Sequence, residues 1–255
     1  METMQALRVT LEGEVTSFRY PHFMWGQQPT FEMPPPATIF GHICSAVGEW
    51  IDPEGLQFAY HFTHQGMFTD LEHIHAGGGV EPISARKRKE LAAQGFGAVT
   101  LYGESTVTPF QRALLFRPRL TLYLNRLELE PAFRSPRFAL VLGRSQDLCA
   151  YPPGGVRVVT LERRERVCYE HTILPIEMGA RTRRGLAVLM PRYLDYHRGR
   201  QPTFAQYLML RERVLSTRLD LPAADADPSW CDPSVQAVSD HARAVVWHSF
   251  VEGAR

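Results

Sequence analysis

Hydrophobic and polar positions alternate from Ala6 to Val15. Leu7, Val9 and Leu11 fall on one side and Arg8, Thr10 and Glu12 on the other, which predicts an opening β-strand with one buried face. The period changes after Pro34, Pro35 and Pro36. Ile39, Phe40, Ile43, Cys44, Val47 and Trp50 recur at three- and four-residue steps, predicting an amphipathic helix from about Ala37 to Trp50 with Thr38, His42, Ser45 and Glu49 on its polar side. Pro36 sets the start, because its missing N–H would be unpaired in a first helical turn anyway. Strand character returns over Gln57–Phe68, Ala113–Asn125 and Arg137–Leu142, with a poor helix between Leu127 and Pro136. Further on, Val156–Leu161 and Ala244–Val251 read as strands and Thr203–Leu219 as a helix.

This succession predicts an α+β chain of ferredoxin-like arrangement, the one that also underlies RNA-recognition modules. Pro152, Pro153, Gly154 and Gly155 mark a turn and the expected end of a first domain, residues 1–150. Residues 151–255 are then a β-rich region with one helix. The connector from His75 to Gln111 is too long for an ordinary loop. It opens on Gly77, Gly78 and Gly79, carries RKRK at Arg86–Lys89, and then reads QGFGAVTL from Gln94 to Leu101. The last stretch differs from the RNA-binding signature of recognition motifs at Gln94, Ala98 and Leu101, so a Gly-hinged hairpin over Gly95–Tyr102 is the expectation.

Composition narrows the function classes. With 255 residues, 44% of them hydrophobic, the chain has ample material for a packed core. Cys44, Cys149, Cys168 and Cys231 lie far apart without C-x-x-C spacing, so neither a zinc site nor a disulfide framework is expected. The histidine pairs His61/His64 and His73/His75 lack metal-ligand spacing, and there is no nucleophile elbow or Walker loop; no metal and no cofactor are expected. No signal peptide or membrane-length apolar run is read, which predicts a soluble, cytoplasmic protein. The net charge is only +1, so a nucleic-acid site would have to come from local clustering. Arg163, Arg164 and Arg166 alternate with Glu162 and Glu165, whereas Arg181, Arg183 and Arg184 have no such neighbours in sequence.

The loop before the helix has the chemistry for such clustering. Phe18, Tyr20, Phe23, Trp25 and Phe31 are interleaved with Arg19, His22, Gln27, Gln28 and Thr30, groups able to stack on bases and bind phosphates, while a helix N-terminus behind them presents N–H groups to an anion. Each aromatic could equally cover a core.

The run FRYPHF followed by QQPTFEMPPPATIFGHICSAVG resembles the N-terminal signature of the CRISPR-associated RAMP proteins that cap the 5′ end of the guide RNA in type I Cascade complexes. Phe18, Arg19, Pro21, Phe23, Thr30, Phe31, Pro35, Pro36, Thr38, Ile39, Gly41 and Ile43 carry the match, with LGRSQDL at 142–148 as a second and TILP and MPRYLD as weaker ones. The resemblance, closest to a noncatalytic type I-B-like branch, implies a non-enzymatic subunit that binds the 5′ handle. It also implies that the insertion at about 77–111 is an RNA-contacting thumb. Phe18, Arg19, Tyr20, Phe23, Thr30, Thr38, Gly41 and His42 are the candidate RNA-binding residues of the motif. Arg86, Lys87, Arg88 and Lys89 are those of the thumb, with Arg112 and Arg144 beside them. The implied partners are guide RNA, the repeating backbone subunit, the large subunit that reads the target-flanking motif, and target DNA near that motif. Two alternatives stay open. One is a general RNA-binding RAMP module; the other is a metal-independent endoribonuclease with Tyr20, His22 and His42 as acid and base and Lys87 or Lys89 as the cation.

Overall fold

A computed structural model describes residues 2–21, 26–76, 80–81, 83–96, 101–102, 106–216, 229–235 and 240–252. In chain order the principal elements are β1 (Thr3–Gly13), α1 (Pro36–Val47), β2 (Gln57–Thr63), β3 (Gly66–Ala76), α2 (Ala85–Ala93), β4 (Thr106–Phe116), β5 (Arg119–Leu124), α3 (Glu130–Arg134), β6 (Val156–Arg164), β7 (Leu186–Asp195), β8 (Gln201–Leu210), β9 (Ser229–Cys231) and β10 (His248–Ser249). The chain is mixed α+β and rich in strand. It divides into two compact units, one of residues 1–19, 30–68 and 114–255, the other of residues 20–29 and 69–113.

The first unit is built on a sheet of order β9-β6-β1-β5-β2-β10. β1 lies antiparallel between β5 and β6, with Val9 opposite Leu122 and Ala6 opposite Val159, and β5 continues antiparallel onto β2 with Leu122 opposite Tyr60. Leu7, Val9 and Leu11 are buried on one face, but Ala6 and Thr10 are buried too. Both faces of β1 are therefore covered, not one as the alternation predicts. The second covering comes mostly from far along the chain: Trp230, Val245 and Trp247, joined by Met4 of β1 itself, pack with Ala6, Ala59, Tyr123 and Val159. Asp232 fixes this layer by accepting hydrogen bonds from the Arg8 guanidinium at 2.7 Å and the Tyr123 hydroxyl at 3.0 Å.

Several sequence expectations shift for local reasons. α1 stops at Val47 rather than near Trp50, because Gly48 takes a left-handed φ of 97° and donates to the Cys44 carbonyl at 2.8 Å. A side chain at Gly48 would also sit 2.5 Å from Arg137 Cγ. The strand expected over Gln57–Phe68 breaks after Thr63, and that expected over Ala113–Asn125 breaks at Arg117, whose φ is 47°, just before Pro118. Arg137–Leu142 forms no strand; only Val141 bridges to Leu148. The helix expected between Leu127 and Pro136 exists as a 3₁₀ turn, Leu127–Leu129, running into α3. The strand beyond it is β6, past the Pro152–Gly155 turn, so that turn lies within the sheet of the first unit.

The helix expected over Thr203–Leu219 is instead β8, paired with β7 in a hairpin and with Thr172–Pro175 on its other side. Tyr207, Leu208, Met209 and Leu210 are all buried. A strand buried on both faces shows a continuous apolar run, which periodicity cannot tell from a helix. Ala244–Val251 contributes only the short β10.

In the second unit, Gln27 and Gln28 pair parallel with Gln111 and Arg112 of β4, and Val80–Glu81 pairs with Leu101–Tyr102. α2 follows Ser84, whose hydroxyl accepts from Lys87 N at 3.3 Å. Among the described residues no helix is long and apolar enough to cross a membrane.

Candidate functional site

The signature motif is part scaffold and part surface. Phe18–Arg19 pairs antiparallel with Thr30–Phe31, and the two-residue period sends Phe18 inward and Arg19 outward. Phe18 is 2% exposed and meets Phe62 edge-on at 5.6 Å, while Phe31 is fully buried. Thr30 is also inside: its hydroxyl accepts from Phe18 N at 2.7 Å and donates to the Phe31 carbonyl at 2.9 Å. Phe18 and Thr30 are thus core groups in this structure rather than groups offered to a ligand. Arg19 is exposed.

The expected anion site at the start of α1 is also reduced. Pro35 and Pro36 have no N–H, and Thr38 N and Ile39 N both donate to the Pro35 carbonyl, at 2.9 and 3.3 Å. Only Ala37 remains of the first-turn donors. Thr38 and Gly41 are half-buried on the helix. His42 faces inward, against the expectation that it lies on the polar side, and is 4% exposed. Its Nδ1 lies 3.1 Å from the Val141 carbonyl and must donate there, leaving Nε2 to accept from the Tyr151 hydroxyl at 2.9 Å. Burial lowers its pKa to about 4, against the smaller opposing effect of the Val141 carbonyl. The ring is neutral at pH 7 with both nitrogens engaged.

The second motif, Leu142–Leu148, is a tight turn that braces the first. Gly143 has φ 98°, and a Cβ there would stand 2.5 Å from Thr16 Oγ1 and 2.7 Å from the Ser17 carbonyl. The Thr16 hydroxyl donates to the Leu142 carbonyl. Asp147, fully buried, accepts from Ser17 N at 3.2 Å, Arg144 N at 3.0 Å and Arg144 Nη2 at 2.7 Å. Arg144, a candidate phosphate ligand from sequence, therefore has its guanidinium engaged by Asp147, and what the motif supplies is the position of Thr16 and Ser17 just ahead of Arg19.

Within the second unit, Tyr20 is half-buried, its N–H donates to the Pro29 carbonyl at 3.3 Å, and its own carbonyl accepts from the Gln28 amide at 3.1 Å. His22, Phe23 and Trp25 lie outside the described residues. Arg112 donates to Glu72 at 2.7 Å and sits over the Phe110 ring at 4.9 Å, so its charge is matched locally. Arg86, Lys87, Arg88 and Lys89 are all exposed on α2, which has no buried residue. They form a short cationic helix, an element for which the sequence carried no expectation. The expected Gly95–Tyr102 hairpin has its middle, 97–100, outside the described residues, and Leu101–Tyr102 pairs with Val80–Glu81.

Other candidate surfaces are less free than their sequence implies. One face of the sheet is covered by Trp230, Val245 and Trp247. Arg184 pairs with Glu212 at 2.5 Å, and Arg163 and Arg164 with Glu2 and Glu162 at 3.4 and 3.0 Å. His61 and His171 pack edge-to-face at 5.2 Å. Burial first, then the Arg243, His171 and Arg119 charges, lower the His61 pKa to about 3. Among the described residues no group of three or more His, Cys, Asp or Glu side chains could hold a metal ion.

With this geometry in place, comparison with solved structures is informative about the fold. A chain of a CRISPR RNA-guided surveillance complex aligns with 87% of this chain and 95% of its own length, at TM-score 0.50 and 17% identity. The two share a fold. A Cas protein crystal structure matches at TM-score 0.40 and 16% identity, covering 84% of this chain and 96% of that one. A CRISPR protein from Archaeoglobus fulgidus matches at TM-score 0.38 and 12% identity, covering 81% and 87%. No protein-family model and no curated protein sequence matches the chain.

Proposed function

We propose that this chain is the non-enzymatic subunit that binds the 5′ handle of guide RNA in a type I, I-B-like CRISPR Cascade complex. In this reading it works in the cytoplasm beside the repeating backbone subunit and the large subunit that reads the target-flanking motif, with target DNA passing near that motif. The observation that carries the reading is the fold shared over nearly the whole length of a surveillance-complex chain, met independently by the signature residues from Phe18 to Ile43. The order β6-β1-β5-β2, all antiparallel, with α1 between β1 and β2 and α3 between β5 and β6, supports a ferredoxin-like RAMP core. A non-enzymatic role is supported by His42, whose two ring nitrogens are both held inside the protein.

RNA contact falls to Arg19 and to the cationic helix α2 in the thumb. Arg19→Ala should weaken binding of a handle oligonucleotide at least tenfold, since a charge-assisted contact contributes on the order of 1.5–3 kcal/mol. Fluorescence anisotropy in EDTA measures this, and uncut RNA on a gel from the same samples separates binding from metal-free cleavage. An unchanged dissociation constant removes Arg19 from the site.

Replacing Arg86, Lys87, Arg88 and Lys89 together by alanine should leave the circular dichroism intact, because all four are exposed. The log–log salt slope for guide binding in the assembled complex should fall by roughly 0.7 for each lost phosphate contact. A slope equal to wild type would remove α2 from the RNA interface. Co-purification with backbone subunits distinguishes the Cascade role from a free-standing RNA-binding module.

A further inference from the structure

An aromatic chain runs through the first unit from core to surface. Phe58 stacks on Phe250 at 4.4 Å, Phe250 meets Phe40 at 5.1 Å, Phe40 stacks on Trp50 at 6.3 Å, and Trp50 stacks on Tyr196 at 5.1 Å with ring planes only 15° apart. The inner members are buried; Trp50 and Tyr196 are 40% and 42% exposed. Tyr196 opens the β7–β8 turn, Tyr196-His197-Arg198-Gly199-Arg200, and the His197 ring lies 4.5 Å from it. His197, Arg198 and Arg200 are exposed.

The turn is fixed rather than loose. Asp195 Oδ1 accepts from His197 N at 3.0 Å and Arg198 N at 3.2 Å, Gly199 and Arg200 take left-handed φ values of 64° and 63°, and the strands close with Asp195 opposite Gln201. Tyr196 is therefore held at the end of an aromatic stack, in a turn that also carries the exposed Arg198 and Arg200. Burial does not require this exposure, and Asp195 offsets only Arg198, at 3.6 Å.

We infer that the Trp50–Tyr196 stack and the Arg198/Arg200 turn form a stacking platform for single-stranded nucleic acid, a site separate from the handle contacts and not dependent on that reading. An aromatic plane accepts any base, and a neighbouring guanidinium can take phosphate or stack in turn. Pre-organisation by the core means that little side-chain freedom is lost when a base arrives. The turn itself carries two guanidiniums, Arg198 and Arg200, against the one carboxylate of Asp195, a local excess of positive charge that suits a phosphate backbone.

The test is anisotropy of the full chain with labelled oligo-rU and oligo-dT of roughly 12 nucleotides, lengths within the site sizes usual for such grooves and lacking any handle sequence. Tyr196→Ala should weaken binding on the order of tenfold, the loss of one stacked base, while Tyr196→Phe and Tyr196→Trp retain it. Arg198→Ala/Arg200→Ala should lower the salt slope by roughly 1.4, two single-strand phosphates. In an Arg19→Ala background the Tyr196→Ala loss should persist at the same size, which separates the platform from the handle site. Equal loss with rU and dT assigns recognition to bases and phosphates; loss with rU alone adds the 2′-hydroxyl. If folded Tyr196→Ala binds as wild type, the platform is refuted. Should that variant misfold, an unaltered slope and affinity in the double arginine variant refutes it instead.

Discussion

Asp147→Ala is expected to remove about 3–5 kcal/mol of folding stability, the usual cost of breaking one side of a buried ion pair. The Asp147 side chain is fully buried and that of Arg144 only 15% exposed. Truncating the carboxylate removes the buried counter-charge of the Arg144 guanidinium. It also removes the Oδ2 acceptor that Ser17 N and Arg144 N reach at 3.2 and 3.0 Å. Urea unfolding at neutral pH measures the loss. Arg144→Ala should likewise be costly because it strands the carboxylate, and the double variant should lose less than the two single losses added together. A drop below about 1 kcal/mol for Asp147→Ala would mean that the turn relaxes and the pair is not what holds it. Thr16 and Ser17 lead directly into Phe18–Arg19, so under the proposed role a loosened turn should also lower affinity for a handle oligonucleotide.

The same residues show what the sequence made legible. Two periodic signals were strong, the alternation of β1 and the three-four spacing of α1, and both elements form within a few residues of expectation. What the pattern could not carry was the far side of the sheet. Ala6 looks like the solvent face of a half-buried strand until Trp230, Val245 and Trp247, more than two hundred residues on, are laid over it, and Thr10 meets the Gly155 turn instead. His42 fails for the same reason: its place on the helical wheel is polar, but Val141 and Tyr151 close around it from another part of the chain. Motif residues were legible as a set but not by role. Phe18 and Thr30 went to the core, Arg144 to Asp147, and Arg19 and the α2 cations to the surface. Asp147 lies inside LGRSQDL, three residues after Arg144 in a glycine turn, a spacing that allows such a clasp. Tyr196-His197-Arg198-Gly199-Arg200 had its own turn glycine and basic-aromatic composition, but the Trp50 ring that completes it is distant in sequence.

Stability should fall steeply between pH 6.5 and about 4, because His42 and His248 are buried, and His61 largely so, in the neutral form. Burial is the leading cause in each. It brings His42 and His248 to about 4 and His61 to about 3, with the Val141 and Ile173 carbonyls partly opposing it at His42 and His248. The sign follows from proton counting. Below 6.5 the unfolded chain protonates these rings and the folded chain does not, so lowering the pH draws the equilibrium toward the unfolded state. Above 6.5 both states are neutral and the effect vanishes. Each ring contributes about 1.4 kcal/mol per pH unit inside its window, so three together give roughly 4 kcal/mol per unit once the pH is well below 6.5. Against a typical total of about 5–15 kcal/mol, unfolding should begin before pH 4 is reached. His61→Met isolates the share of one ring. His61 Nε2 makes no hydrogen bond, so the replacement sacrifices none and should flatten the slope between pH 6 and 4.5 by about a third. Urea midpoints across this range supply the measurement. A flat profile from pH 7 to 5 in the wild type would show that the rings accept protons without opening the fold, and that their burial does not govern its acid limit.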